Sequence, residues 1–264
     1  MKLGLIGHGA IAQHLLRALD DGAMPGVSVP AILVRKPRAA AVGPREITND
    51  PARFLRYGFD AVLECAGHDA VREHAERILA AGADLLVTSV GVFVDDALFA
   101  RVQRAAEAAG CCFILPSAGI GALDILSAAA VGGLDEVVVT VRKDAASWRG
   151  TVAEERHDLD RLAGPVVLYD GPVREGARRY PQNVNIAAAV ALSGIGLDRT
   201  RLIIIADPAI ATHQVEIAAR GAFGSFRFAE DVIPSVENPK TGRLVAMALV
   251  KTVRQLRSTL VVGA

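Results

Sequence analysis

The chain has 264 residues, a formal net charge of zero and 52% hydrophobic residues, enough apolar material for one large core or two modest ones, and its length favours two domains. Its basic residues are dispersed rather than gathered into a stripe, which argues against a nucleic-acid partner. Three cysteines, two of them adjacent at Cys111 and Cys112, give no disulfide framework and no thiolate metal cage and fit a reducing, cytoplasmic setting; the opening MKLGLIGHGAIAQHLL breaks its apolar run at the glycines and His8, so neither an export signal nor a membrane span is expected.

Residues 2–6 are a short apolar run, and after a glycine turn the segment 11–19 spaces Leu15, Leu16 and Leu19 along one helical face, which predicts strand, turn and helix. Strands are predicted at 28–34, 61–66 and 85–89, with an alanine-rich helix at 70–81 between the last two. This alternation predicts right-handed crossovers and a parallel sheet. A helix at 98–109 and a strand at 112–115 follow, and the turn-rich stretch from Pro116 to Gly121 marks a handover to a second domain. There the texture changes to short β-rich runs at 136–142, 201–206, 214–220 and 225–229, with one helix at 185–192, the pattern of an antiparallel sheet with helices on one face. The stretch 238–242 ends that sheet, and 243–256 is a helical finish expected to pack back on the first domain. The expected architecture is α/β: a doubly wound parallel sheet in residues 1–118, joined by a C-terminal helix within 239–264, and an α+β, mainly antiparallel, catalytic and oligomerisation domain in 119–238.

Gly7-His8-Gly9-Ala10-Ile11-Ala12 matches G-x-G-x-x-A after a strand and at the opening of a helix. The first glycine permits the tight turn, the second lets backbone approach a pyrophosphate, and the small third residue allows close packing of helix on strand. The N–H groups of Ala10 and Ile11 then lie at the positive end of a helix dipole. The alternative is a glycine turn that merely packs. Past the second strand, where an acidic residue would hold the ribose hydroxyls of NAD, the chain reads Val34-Arg35-Lys36-Pro37. Arg35 and Lys36 suit a 2′-phosphate, favouring or at least tolerating NADP; otherwise they are solvated loop charges.

Small residues at further strand ends, Cys65, Ala66 and Gly67 after one and Ser89 and Val90 after the next, fall where ligands bind in such sheets. Cys65 reads as a reactive thiol or as a small buried hydrophobe, the second being the more common case. His68 and His74 read as surface or packing residues. In the second half, the loop from Ala206 to His213 follows an apolar strand and places Asp207 and His213 near a strand end. His213 is the candidate general acid or base, since an unperturbed imidazole titrates near working pH; a hydrogen-bonded structural histidine is the competing reading. No zinc-binding spacing and no nucleophile elbow occur, so no metal is expected.

Several stretches taken in order, GHGAIA, ECAGHDAVREHAERIL, DLLVTSVGVF, LPSAGIGALD, YPQNVNIAAAVAL, IIIADPA, GAFGSF and NPKTG, resemble the L-aspartate dehydrogenase family over nearly the whole chain. The resemblance implies a Rossmann-type first domain, a catalytic α+β second domain, and reversible reduction by NAD(P)H of iminosuccinate, formed from oxaloacetate and ammonia, to L-aspartate. In that family the oxidative direction feeds NAD biosynthesis. Position by position, the nicotinamide-side contacts fall at Gly119, where an alanine is usual, and at Asn185. The family's catalytic histidine falls on Val215, and His213 lies two residues earlier, on the same face of an extended strand about 7 Å away.

The expected chemistry is hydride transfer between nicotinamide and the carbon bearing the amino or imino group, with NADP or NAD as cofactor. Arg142, Lys143 and Lys240 are candidates to bind the substrate carboxylates. A small-molecule substrate and a homo-oligomer, with a dimer favoured, are the expected partners. A related imine or aldehyde reductase and a non-catalytic dinucleotide-binding sensor are the competing readings.

Overall fold

The structure, a computed structural model, describes residues 1–36, 41–117, 119–181, 184–235 and 242–263. The chain divides into two compact units, Met1–Pro116 with Ala246–Val262, and Ser117–Val245 with Gly263–Ala264.

In the first unit β1 (Leu3–Ile6) leads into α1 (Ala10–Asp20) and β2 (Ala31–Leu33), then β3 (Ala41–Val42), β4 (Arg45–Thr48) and α2 (Pro51–Leu55). There follow β5 (Ala61–Glu64), α3 (His68–Ala80), β6 (Asp84–Val87), α4 (Asp96–Ala109) and β7 (Phe113–Ile114). The sheet runs β3-β4-β2-β1-β5-β6-β7 and is parallel except for the β3–β4 pair. Every residue of β1, β2 and β5 is buried. Strands covered on both faces read as unbroken apolar runs, which is why the sequence exposes them. The β3–β4 hairpin and α2 were not anticipated. β4 carries a buried arginine, Arg45, whose charge is met by Asp20 of α1, and this interrupts the hydropathy signal. α2 is a five-residue helix whose N-cap is Asp50, accepting from the amides of Ala52 at 2.8 Å and Arg53 at 3.1 Å.

The second unit contains α5 (Leu123–Val131), β8 (Leu134–Lys143), β9 (Val166–Pro172), α6 (Val173–Arg179), α7 (Asn185–Ser193), β10 (Arg201–Ala206), β11 (His213–Gly221) and β12 (Gly224–Val232). Its sheet order is β12-β11-β8-β10-β9. All pairs are antiparallel except β8 with β10, because β9, α6 and α7 intervene in the chain before β10 begins. α5, β9 and α6 were not read from the sequence: α5 is an alanine-rich segment directly after a run of turn residues, and β9 ends in Asp170-Gly171-Pro172, which reads as a turn. α6 and α7 pack on the sheet. The covered face carries Val137, Val139, Val141 and Lys143 of β8, and His213, Val215, Ile217 and Ala219 of β11, all buried. The last helix, α8 (Leu244–Gln255), belongs to the first unit from Ala246 onward. No helix among the described residues is long and apolar enough to cross a membrane.

Candidate active site

Chain order reverses on either side of β1, with β2 on one flank and β5 on the other. In open parallel sheets the carboxyl ends of such strands form the ligand crevice. Gly7 follows β1 with φ +100°, and a Cβ built on it would stand 2.8 Å from the carbonyl oxygen of Cys65. Both the conformation and the approach call for glycine. Gly9 is the N-cap of α1 in extended backbone, no side chain caps the helix, and a Cβ there would meet nothing within 4 Å. The first amides of α1, at Ala10 and Ile11, therefore head an uncapped helix beside open space, as a pyrophosphate requires.

The second wall is organised by a residue the sequence reading passed over. Glu64, at the end of β5, is 1% exposed. Its Oε1 accepts the amides of Ala66 and Gly67, both at 2.7 Å, and the Ser89 hydroxyl at 2.9 Å, while its Oε2 accepts the Ser89 amide at 3.1 Å. One carboxylate thus ties the turn from Cys65 to Gly67 to the turn that begins at Ser89 and Val90. The Cys65 thiol donates to the Ile6 carbonyl at 3.3 Å, and burial, then the neighbouring Glu64 charge, push its pKa far above the ordinary thiol range. Cys65 therefore contributes backbone and bulk, not a thiolate. Arg35 and Lys36 are exposed just past β2. Uncapped amides, a glycine approach and two cations past the neighbouring strand fit a dinucleotide.

In the second unit a Cβ on Gly119 would stand 3.4 Å from Ile186 Cδ1, so Gly119 lies against the first turn of α7, which Asn185 opens. Two residues on, a Cβ on Gly121 would stand 2.6 Å from Phe228 Cζ of β12, and the Gly121 amide donates to Glu230 Oε2 at 3.4 Å. Ala122, next in line, is the single non-glycine residue with positive φ (62°) among those described, a strained backbone of the kind found where a loop is over-determined. His213 and Val215 occupy the same covered face of β11, and β12 places Val232 opposite His213 and Glu230 opposite Val215. His213 is 5% exposed and Val215 2%.

Of the cations expected to meet substrate carboxylates, Arg142 is engaged with the buried Asp207 at 3.2 Å and alternates away from the covered face. Lys143 is buried on that face, its ammonium 5.8 Å from the centre of the Trp148 ring. Lys240 lies outside the described residues. Glu230 was also missed by the sequence reading. The signal was present in Phe226, Phe228 and Glu230: in a strand these share one side, so an acid stands where the alternation calls for an apolar residue.

Glu230 is half-buried, and its Oε1 is enclosed without a hydrogen-bond partner among the described residues. Burial pushes its pKa up to about 7, with the Gly121 amide acting in the other direction. His74, set apart on α3, is buried, and burial lowers its pKa, as suits a packing residue.

Residues 7–116 match the family model for the NAD binding domain of homoserine dehydrogenase, and residues 124–256 match that for the C-terminal part of aspartate dehydrogenase. A doubly wound unit with a dinucleotide turn, followed by a mainly antiparallel α+β unit, defines the class of two-domain NAD(P)-dependent oxidoreductases. The L-aspartate dehydrogenase of Ruegeria pomeroyi is 42% identical over 257 residues, covering 97% of this chain and 92% of that protein. That of Ralstonia nicotianae is 40% identical, covering 95% and 96%. The solved aspartate dehydrogenase from Thermotoga maritima has the same fold, with a TM-score of 0.78 at 22% identity and 99% of each chain covered. The chain belongs to the L-aspartate dehydrogenase family.

Proposed function

We propose that the chain is an NAD(P)-dependent L-aspartate dehydrogenase that oxidises L-aspartate to iminosuccinate and, in reverse, forms L-aspartate from oxaloacetate and ammonia. The observation that carries this is the agreement with curated L-aspartate dehydrogenases over nearly the full length of the chain. The dinucleotide turn and the strained loop 119–122 support it, one in each unit.

Gly7, Gly9, Ala10 and Ile11 hold the pyrophosphate, and Arg35 and Lys36 meet the adenosine ribose or its 2′-phosphate. Cys65, Ala66, Gly67, Ser89 and Val90, held in place by Glu64, form the wall beside the nicotinamide ribose; Gly119 and Asn185 are the nicotinamide-side contacts that the family resemblance implies. The bound cofactor supplies a hydride acceptor or donor at nicotinamide C4; the chain orients the substrate, excludes water and moves one proton. His213 remains a candidate for the proton, and Lys143, on the same face, for a substrate carboxylate. The domain roles follow: a cofactor domain in 1–118 completed by the C-terminal helix, and a catalytic and oligomerisation domain in 119–238. The open face of the second sheet, with Val138, Ile203, Ile205 and Ala218 half-exposed, suits a homodimer, which light scattering on the purified protein tests. The protein works in the cytoplasm.

The deciding measurement is a steady-state assay of the purified protein with L-aspartate and each cofactor. Turnover with NAD or NADP supports the reading. No turnover with either, alongside clear turnover of another amine, imine or alcohol, rejects the substrate while keeping the class.

A further inference from the structure

Three observations converge on Glu230. Register places it directly across from Val215 on the covered face, and Val215 offers no group able to donate or accept a proton. Its Oε2 meets the amide of Gly121, two residues from Gly119, which in turn lies against the first turn of α7 at Ile186. Its Oε1 is enclosed without a partner among the described residues. Buried polar atoms are nearly always satisfied, and one that is not calls for an explanation such as a ligand or a chemical role. The carboxyl also titrates near neutrality, where a proton acceptor works best.

We propose that Glu230 is the group that takes the proton from the substrate amino group in this chain. The proposal rests on the dehydrogenase reading above and names the residue that stands in where the resemblance implies a histidine at 215. L-Aspartate presents its nitrogen as ammonium. The Glu230 carboxylate takes one of those protons, breaking an N–H bond and forming an O–H bond. The freed nitrogen lone pair forms the C=N bond as the Cα–H bond breaks, its electron pair leaving as hydride. The amino acid is oxidised to an iminium ion, and NAD(P)⁺ is reduced. Glu230 gives its proton to solvent before the next turnover, and in the reductive direction it returns a proton to the amine.

His213, two residues along the same face, is the competitor, and substitution at each position separates them. Glu230→Gln keeps shape but cannot take a proton. It is expected to lower kcat at least about 10²-fold, to remove the rise of kcat/KM through an apparent pKa near 7, and to leave NAD(P)H binding, read by fluorescence titration, unchanged. Glu230→Asp retains the pH dependence at reduced kcat. Carboxyl-region NMR titration of the wild type and Glu230→Gln supplies a readout independent of turnover: one glutamate resonance titrating near neutrality disappears. Wild-type kcat and pH profile in Glu230→Gln, or loss of both in His213→Gln alone, overturns the proposal. A wild type inert toward L-aspartate with both cofactors overturns the functional reading and this proposal with it.

Discussion

The Ser89 hydroxyl donates to Glu64 Oε1 at 2.9 Å, and through this contact the ends of two neighbouring parallel strands share one buried anion. A carboxylate suits the position because it only accepts: three amides and one hydroxyl converge on its two oxygens. Glu64→Gln points an NH₂ group at one set of donors and leaves buried N–H groups unsatisfied. It is expected to cost about 2–3 kcal/mol of stability in denaturant unfolding and to raise the NADH dissociation constant at least about tenfold. An unchanged dissociation constant would show that the wall it organises does not touch the cofactor.

The glycine turn permits a cleaner separation of folding from binding. Gly9 has φ −86° and ψ −168°, a backbone alanine adopts without strain, and a Cβ there meets only open space. Gly9→Ala is therefore expected to keep wild-type stability within about 0.5 kcal/mol yet weaken NAD(P)H binding at least about tenfold, because the methyl group occupies the pyrophosphate approach. Gly7→Ala, with its positive φ and the Cys65 carbonyl 2.8 Å away, loses about 1–3 kcal/mol of stability as well. Calorimetry of both variants with and without NADH checks the contrast; equal binding by Gly9→Ala and wild type removes the turn from the cofactor site.

Legibility followed burial. The inner strands of the first sheet, covered on both sides, announce themselves as apolar runs, and the glycine turn is local enough to read from six residues. β4 was hidden by a buried charge whose partner, Asp20, lies on another element. α5 and β9 were masked by neighbouring turn residues. In the site, local signals located the glycine turn that opens α1 and the face shared by His213 and Val215, since a period of two is visible in sequence. Glu64 joins its own turn to Ser89, 25 residues on, and Glu230 meets Gly121, 109 residues back, and no local pattern carries either long-range pairing. The resemblance supplied the reaction and also the gap at Val215; only the register of β11 with β12 shows what stands across it.

Arg35 is exposed beyond β2, so its contribution is electrostatic and directed at whatever occupies the adenosine end. A guanidinium pairs with a 2′-phosphate through two parallel hydrogen bonds, a geometry a ribose hydroxyl cannot reproduce. Arg35→Ala is expected to raise the dissociation constant for NADPH about tenfold while changing that for NADH less than about twofold. Raising the salt concentration should narrow the wild-type preference in the same direction. Parallel fluorescence titrations of the two cofactors decide this, and equal losses for both would return Arg35 to the role of a solvated loop charge.

Stability should also carry the mark of Glu230. Its native pKa, pushed up to about 7 by burial, stands above the ordinary glutamate value of about 4.3 that the unfolded chain presents. The native state thus holds this proton more tightly than the unfolded state. Its contribution is fully present below the unfolded pKa and is lost as pH rises through about 7. The wild type is expected to lose roughly 1–2 kcal/mol between pH 5 and 8 through this group, less than the full shift implies because water screens part of the carboxylate. Glu230→Gln, uncharged throughout, should lack that slope and exceed the wild type in stability at pH 8. The other titratable side chains on the covered face, among the described residues, are Lys143 of β8, His213 of β11 and Tyr169 of β9, the last held above the ordinary phenol range by burial, while residues 119–121 and α7 bring none. Urea unfolding at pH 5, 6.5 and 8, run in parallel on a His213→Gln background, isolates the Glu230 share. A slope that survives Glu230→Gln but vanishes with His213→Gln would assign the titration to the histidine.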